Sequence, residues 1–235
     1  MRHPLSVHFP LDKFGHDLRQ SLRAILFSTQ RIQRQNPAPS PETLTLLEEV
    51  IAAARRQEAL IESAVDYDSA RSLVGQLDRP MRLSVVIQAA CQQVEPFRKL
   101  HRGRLQVSEC PPLYASPLLA KALKQLLHNA LKFHREGSEP LVEVEVSGEL
   151  SGGILIRVTD NGIGIEEKYR ESVFLPLTRL HGPDEYAGPG MGLSICRALL
   201  GSIHGTVVFG NSEGAFGVCA VVWVPTAEVD AIAVS

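Results

Sequence analysis

The chain has 235 residues, 44% of them apolar and 21% charged, with a formal net charge of −2. That length suits one large domain or two small ones, and that balance argues against disorder as a whole-chain state. Lys and Arg do not cluster as a nucleic-acid or membrane surface requires, no apolar run approaches a membrane span, and no secretory-type apolar core opens the sequence. Cys91, Cys110, Cys196 and Cys219 lie too far apart for paired metal spacing and are expected to be reduced thiols in a cytoplasmic protein.

Residues 1–10 carry Pro4 and Pro10 and are expected to be a short lead. A helix is expected from about Leu11 to Gln35, with an apolar stripe of Leu11, Phe14, Leu18, Leu22, Ile25, Thr29 and Ile32 at spacings of three and four. It stops at "NPAPSP", residues 36–41, where three prolines forbid continuation. Ser40-Pro41-Glu42 has the form of a second helix start, with serine at the N-cap and proline at the first position. This helix is expected to run to about Ala70, with a stripe of Leu44, Leu47, Ile51, Ala54, Ile61 and Val65 interrupted by Glu58. Two long amphipathic helices with a short connection give an antiparallel hairpin. One hairpin cannot bury both stripes, so a homodimer closing a four-helix bundle is expected.

Beyond about residue 78 the pattern changes, which sets the expected domains at 1–77 and 78–235. Helices are expected over Val85–Leu100, Pro117–Phe133 and 192–205, and strands at Leu105–Ser108, "LVEVEV" (141–146), "ILIRVTD" (154–160), "TVVFG" and "GVCAVVWVP". Helices interspersed with mostly antiparallel strands predict an α+β sandwich, one sheet with helices on one face. The tail "TAEVDAIAVS" is expected to be loose.

Four stretches carry chemistry. "GHDLRQSLR" places His16 beside Asp17 on the first helix, as a core histidine, a surface histidine or a nucleophile with its proton acceptor. At about 100° per residue, His16 lies roughly 160° from Leu18, which argues against the core. "LLHNALKF" (126–133) puts Asn129 and Lys132 on one helix face: an amide that could ligate Mg²⁺ and an ammonium that could meet phosphate, or simply a solvated polar face. "DNGIGI" (160–165) follows a strand. Its aspartate could accept from an exocyclic amine while its glycines let backbone approach a flat ring, or it could be a plain Asn-Gly turn. "GPGMGLSIC" (188–196) is a glycine-rich loop opening a helix, a possible phosphate site, though it lacks the lysine of a P-loop. The long polar segment 166–187 between the last two reads as a lid.

These four stretches, in this order, resemble the catalytic core of sensor histidine kinases of two-component systems, and "GHDLRQSLR" resembles the histidine box of phytochrome-like kinases. The resemblance spans about residues 11–225. It implies a hairpin dimerisation and phosphotransfer domain followed by an ATP-binding domain of the Bergerat (GHKL) type, the fold shared with type II topoisomerases, mismatch-repair and chaperone ATPases. It implies ATP and Mg²⁺ as cofactors. His16 would be the phosphoacceptor, with Asp17 holding its imidazole and taking its proton. Asn129 would ligate Mg²⁺, Lys132 would sit near the phosphates, and Phe133 would join the nucleotide site. Asp160 would bind the adenine amine, and Gly162 and Gly164 would shape the pocket floor. Gly188, Gly190 and Gly192 would form the hinge and phosphate side of the lid, anchored by Phe174.

The chain departs from the family pattern at Gln125 (usually Asn), Ser21 (often Pro) and Leu177 (usually aromatic). Gln20, one turn after His16, stands where relatives often carry the residue implicated in dephosphorylating the receiver.

The resemblance thus implies an ATP-dependent histidine autokinase that passes its phosphoryl group to a response-regulator aspartate. The alternative is a non-catalytic phosphotransfer or scaffold protein with a degenerate ATP-binding domain. A third is a Bergerat ATPase or serine kinase without phosphohistidine. With fewer than twenty residues before His16, a separate sensor partner is expected unless the chain is part of a longer kinase.

Overall fold

The computed structural model describes residues 11–35, 39–72, 79–149, 152–182, 185–186, 188–210 and 217–227. The expected lead and the distal tail lie outside them. The chain divides into two compact units after Asp68. The boundary expected between residues 77 and 78 falls outside the described residues.

The first unit is the hairpin of α1 (Leu11–Gln35) and α2 (Pro41–Ser72), whose last turn passes beyond Asp68. Ser40 caps α2: its Oγ accepts from the Thr43 amide at 3.2 Å, and Pro41, which has no amide hydrogen to satisfy, takes the first helical position. The helices meet closely at Gly15, where a Cβ would stand 2.7 Å from Val65 Cγ2. Leu22, Thr29 and Ala54 are buried between them. Glu58 interrupts the apolar stripe because it faces Arg23 across the hairpin, 3.7 Å from its Nε. Leu47, Ile51, Ile61 and Val65 are half-buried, but four further stripe residues find no such cover within this unit: Leu18, Ile25, Ile32 and Leu44 are exposed.

The second unit contains β1 (Met81–Arg82), α3 (Leu83–Leu100), β2 (Arg104–Val107), β3 (Tyr114–Ala115), α4 (Leu118–Lys132), β4 (Leu141–Glu149), β5 (Gly153–Asp160), two single 3₁₀ turns at Glu167–Tyr169 and Ser172–Phe174, α5 (Gly192–Ser202), β6 (Thr206–Gly210) and β7 (Cys219–Pro225). Five strands form one sheet in the order β2-β4-β5-β7-β6, and β1 pairs separately with β3. Every neighbouring pair in the larger sheet is antiparallel except β2 with β4. That parallel pair is joined through α4, since parallel neighbours need a crossover rather than a tight turn.

Alternation along the strands makes one face of the sheet apolar. Val142, Val144, Ile154, Ile156, Val158, Ala220, Val222 and Val224 are all buried. Helix α4 covers that face with Leu119, Leu123, Leu127 and Leu131, none more than 2% exposed. Each such leucine contributes roughly 1.5–3 kcal/mol by leaving water. The polar residues of α4 are thereby turned to its other side, where Gln125, Asn129 and Lys132 stand in a row at helical spacing.

Candidate nucleotide site and phosphoacceptor

The hairpin presents His16 and Asp17 to solvent, with side chains 71% and 67% exposed. His16 Nδ1 lies 3.4 Å from Asp17 Oδ1. The core alternative for this histidine is thereby set aside. Gln20 is also exposed, and Ser21, where relatives often have proline, returns its hydroxyl to the Asp17 carbonyl at 3.2 Å.

In the second unit, β5 ends in Asp160. Its Oδ1 accepts from the Gly162 amide at 2.9 Å and from the Val218 amide at 3.3 Å. Among the described residues both bonds fall on one oxygen, which leaves Oδ2 as the acceptor for another donor. Burial pushes this carboxyl up to about 6, against the opposing pull of those two amides. The backbone crowds around it. A side chain at Gly162 would overlap the Phe133 carbonyl, and one at Gly217 would overlap the Asp160 carbonyl. Gly164 (φ +79°) lies within 3.3 Å of the Gly217 carbonyl, measured from where a Cβ would sit. The Phe133 carbonyl also accepts from the Ile163 amide at 3.0 Å, which ties "DNGIGI" to the end of α4.

The glycine-rich loop meets the polar side of α4. A Cβ on Gly192 would sit 3.2 Å from Gln125 Oε1 and 3.8 Å from the Asn129 amide. Gly192 opens α5, whose first turn has no side-chain cap, so its amide hydrogens and positive helix end are available to an anion. Gly188 and Gly190 adopt φ of +135° and +74°, and a Cβ on Gly188 would lie 3.1 Å from Lys132 Nζ. Lys132 is half-buried. Burial first, then Arg179, lowers its ammonium from the usual range.

Phe174 is buried at the base of the intervening segment, stacked on Phe209 at 5.0 Å with the Arg197 guanidinium 4.0 Å over its ring. Leu177, in the place of the usual aromatic, is 62% exposed and has a left-handed backbone (φ +63°).

Asn129, Lys132, Phe133, Asp160 and the five motif glycines are thus gathered along α4, the end of β5 and the start of α5. Gly217, Arg179 and Tyr186 belong to this neighbourhood and were not singled out by the motifs. Gly217 is reachable from sequence only through the β5–β7 register, which pairs Thr159 with Cys219.

Residues 115–228 match the family described as histidine kinase-, DNA gyrase B-, and HSP90-like ATPase. The second unit therefore carries the α/β sandwich of the Bergerat type that this match describes. Across its length the chain is similar to sensory kinases. It is 26% identical over 209 residues to the adaptive-response sensory kinase SasA of Gloeothece citriformis, covering 84% of this chain and 52% of that one. It is 24% identical over 203 residues to the phytochrome-like protein Cph1 of Synechocystis sp., covering 85% and 27%. The solved structure of full-length ShkA in complex with AMPPNP shares the fold at a TM-score of 0.68 and 19% identity, over 94% of this chain and 46% of that one. Over most of its length the chain is thus similar to the catalytic cores of sensor histidine kinases. The chain spans from about a quarter to half of the length of these three relatives. Among the described residues, no helix is long and apolar enough to cross a membrane.

Proposed function

We propose that the protein is an ATP-dependent histidine autokinase that phosphorylates His16 and passes the group to an aspartate of a response-regulator receiver in the cytoplasm. The observation that supports this reading is the exposed His16–Asp17 pair, with Nδ1 directed at Oδ1, in a chain whose ATPase domain keeps an open carboxylate oxygen on Asp160. With Nδ1–H held by Asp17, the other nitrogen, Nε2, carries the lone pair. Nε2 attacks the γ-phosphorus in line, the bond from phosphorus to the β-phosphate bridge breaks, and ADP leaves. Asp17 takes the Nδ1 proton as charge develops on the ring. The 3.4 Å separation is long for a hydrogen bond and would shorten as the imidazole becomes cationic.

In the nucleotide site, Asp160 accepts from the adenine amine and Gly162 and Gly164 keep the floor low enough for the ring. Lys132 and the amides opening α5 meet the phosphates. The amide oxygens of Gln125 and Asn129, side by side on α4, are the donor chemistry a Mg²⁺ ion requires, and glutamine in place of asparagine keeps that oxygen. Mg²⁺ held there would offset phosphate charge. The exposed residues of α1 and α2 are covered by a second copy, completing a four-helix bundle over the domain 1–77.

Incubation with γ-labelled ATP and Mg²⁺ tests the reading. Acid-labile label is expected on the wild type and none on His16→Ala, which should still bind nucleotide. Label that survives in His16→Ala overturns it in favour of a different phosphoacceptor, and nucleotide hydrolysis without incorporation overturns it in favour of an ATPase. Absence of both binding and label favours a phosphotransfer scaffold.

A further inference from the structure

Tyr186 lies in the segment between the two glycine motifs, and its contacts are more numerous than a surface tyrosine needs. Its ring centroid is 4.9 Å from Phe133, tilted by 51°, and 5.4 Å from His181 in an edge-on arrangement. Its hydroxyl donates to the His134 carbonyl at 3.1 Å. Its own carbonyl accepts from Arg179 Nη2 at 2.8 Å, and the same nitrogen reaches the Gly182 carbonyl at 3.1 Å. Side chain and backbone are thus fixed at once, the first to the exit of α4 and the second to the base of its own segment.

The place where the side chain lands is the turn that organises the adenine end of the site. The Phe133 carbonyl receives the Ile163 amide and forces glycine at 162, and Arg135 Nε donates to the Gly162 carbonyl at 3.3 Å. Lys132 Nζ stands 4.5 Å from the Phe133 ring centroid. A polar segment with little apolar burial of its own costs conformational entropy whenever it must be ordered. A ring contact and a hydroxyl bond made beforehand remove part of that cost from binding.

We propose that Tyr186 is a positioning residue for the nucleotide. It fastens the segment after Phe174 to the Phe133–His134 turn and so sets how long a bound nucleotide is retained. This rests on the nucleotide-site reading above. Phenylalanine at 186 keeps the ring and loses the hydroxyl bond; alanine loses both.

The test uses the full chain with a fluorescent ATP analogue and Mg²⁺, and follows release after a chase with unlabelled ATP. Release is expected to accelerate about five-fold in Tyr186→Phe, as loss of one hydrogen bond implies. In Tyr186→Ala it should accelerate about thirty-fold or more. Association rates should change far less. Far-ultraviolet circular dichroism and the melting temperature without nucleotide should match wild type in both variants. Wild-type release rates in both variants overturn the proposal. So does faster release in Tyr186→Ala that tracks lost folded protein while Tyr186→Phe stays at the wild-type rate. Failure of the wild type itself to bind the analogue overturns this proposal and the nucleotide-site reading together, whereas tight wild-type binding with indifferent variants overturns this one alone.

Discussion

Along α4, Leu119, Leu123, Leu127 and Leu131 recur at helical spacing and are at most 2% exposed; along α1, Leu18, Ile25 and Ile32 recur in the same manner and are 36–51% exposed. The two patterns are alike, but α4 has a sheet to cover and the hairpin does not. An amphipathic stripe therefore states that a helix has a partner without stating whether that partner lies in the same chain. The reactive groups divide in the same way. Asp160 is half-buried and held by two amides, while His16 stands in solvent 3.4 Å from Asp17. On the function proposed above, the group that recognises the nucleotide is held by backbone, and the group that must be reached from outside is left open.

The largest expected effect tests the open side. Asp17→Asn keeps the shape beside His16 and removes the proton acceptor. Initial autophosphorylation rates should fall by roughly 10²–10⁴-fold, with affinity for nucleotide unchanged. A fall below about three-fold would mean that Asp17 takes no proton.

Stability separates the two stripes directly. Leu123→Ala should cost about 2–5 kcal/mol in denaturant unfolding. Ile25→Ala should cost no more than about 0.5 kcal/mol at concentrations where the chain is monomeric. The same Ile25→Ala change should weaken self-association in sedimentation measurements. Equal costs in the two helices would show that the hairpin stripe is covered within one chain after all.

Titration probes the rigid side. An unfolded aspartate titrates at about 3.9, and Asp160 is raised to about 6. Between those values the folded state binds more protons than the unfolded one, so stability falls as pH rises through the window. The size is on the order of 2–3 kcal/mol. Asp160→Asn has no such titration. The stability of wild type relative to this variant should therefore decline from about pH 4 to about pH 6 and level off above it. A difference that stays flat across the window would show that the carboxyl is not desolvated.

Much of the fold was legible because its signals are local. The prolines after Gln35, the serine cap at residue 40 and the alternation in β4 and β5 each act within a few residues. The parallel pairing of β2 with β4 was not legible, because it depends on how α4 crosses the sheet rather than on any residue in β2. The two-residue strands β1 and β3 are too short to carry a period. In the candidate site, Asn129, Lys132, Asp160 and the motif glycines could be named because the spacing of their motifs is distinctive. Gly217 escaped because its reason for being glycine is the carbonyl of Asp160, a neighbour only across the β5–β7 ladder. Tyr186 and Arg179 lie in a segment whose polar composition suggested a lid but gave no direction to any side chain. Glu58 looked like a flaw in α2 until its partner Arg23 came from the other helix.

The Asp160–Gly217 contact has a consequence for synthesis. The motifs from Asn129 to Gly192 leave the ribosome in one continuous stretch, but the carboxylate they surround takes one of its two amide bonds from Val218. The pocket is finished only when β7 pairs with β5, after all of those motifs have been made. On the nucleotide-site reading proposed above, a nascent chain carrying all of those motifs is still without a complete adenine site, and nucleotide can stabilise the domain only after β7 has joined.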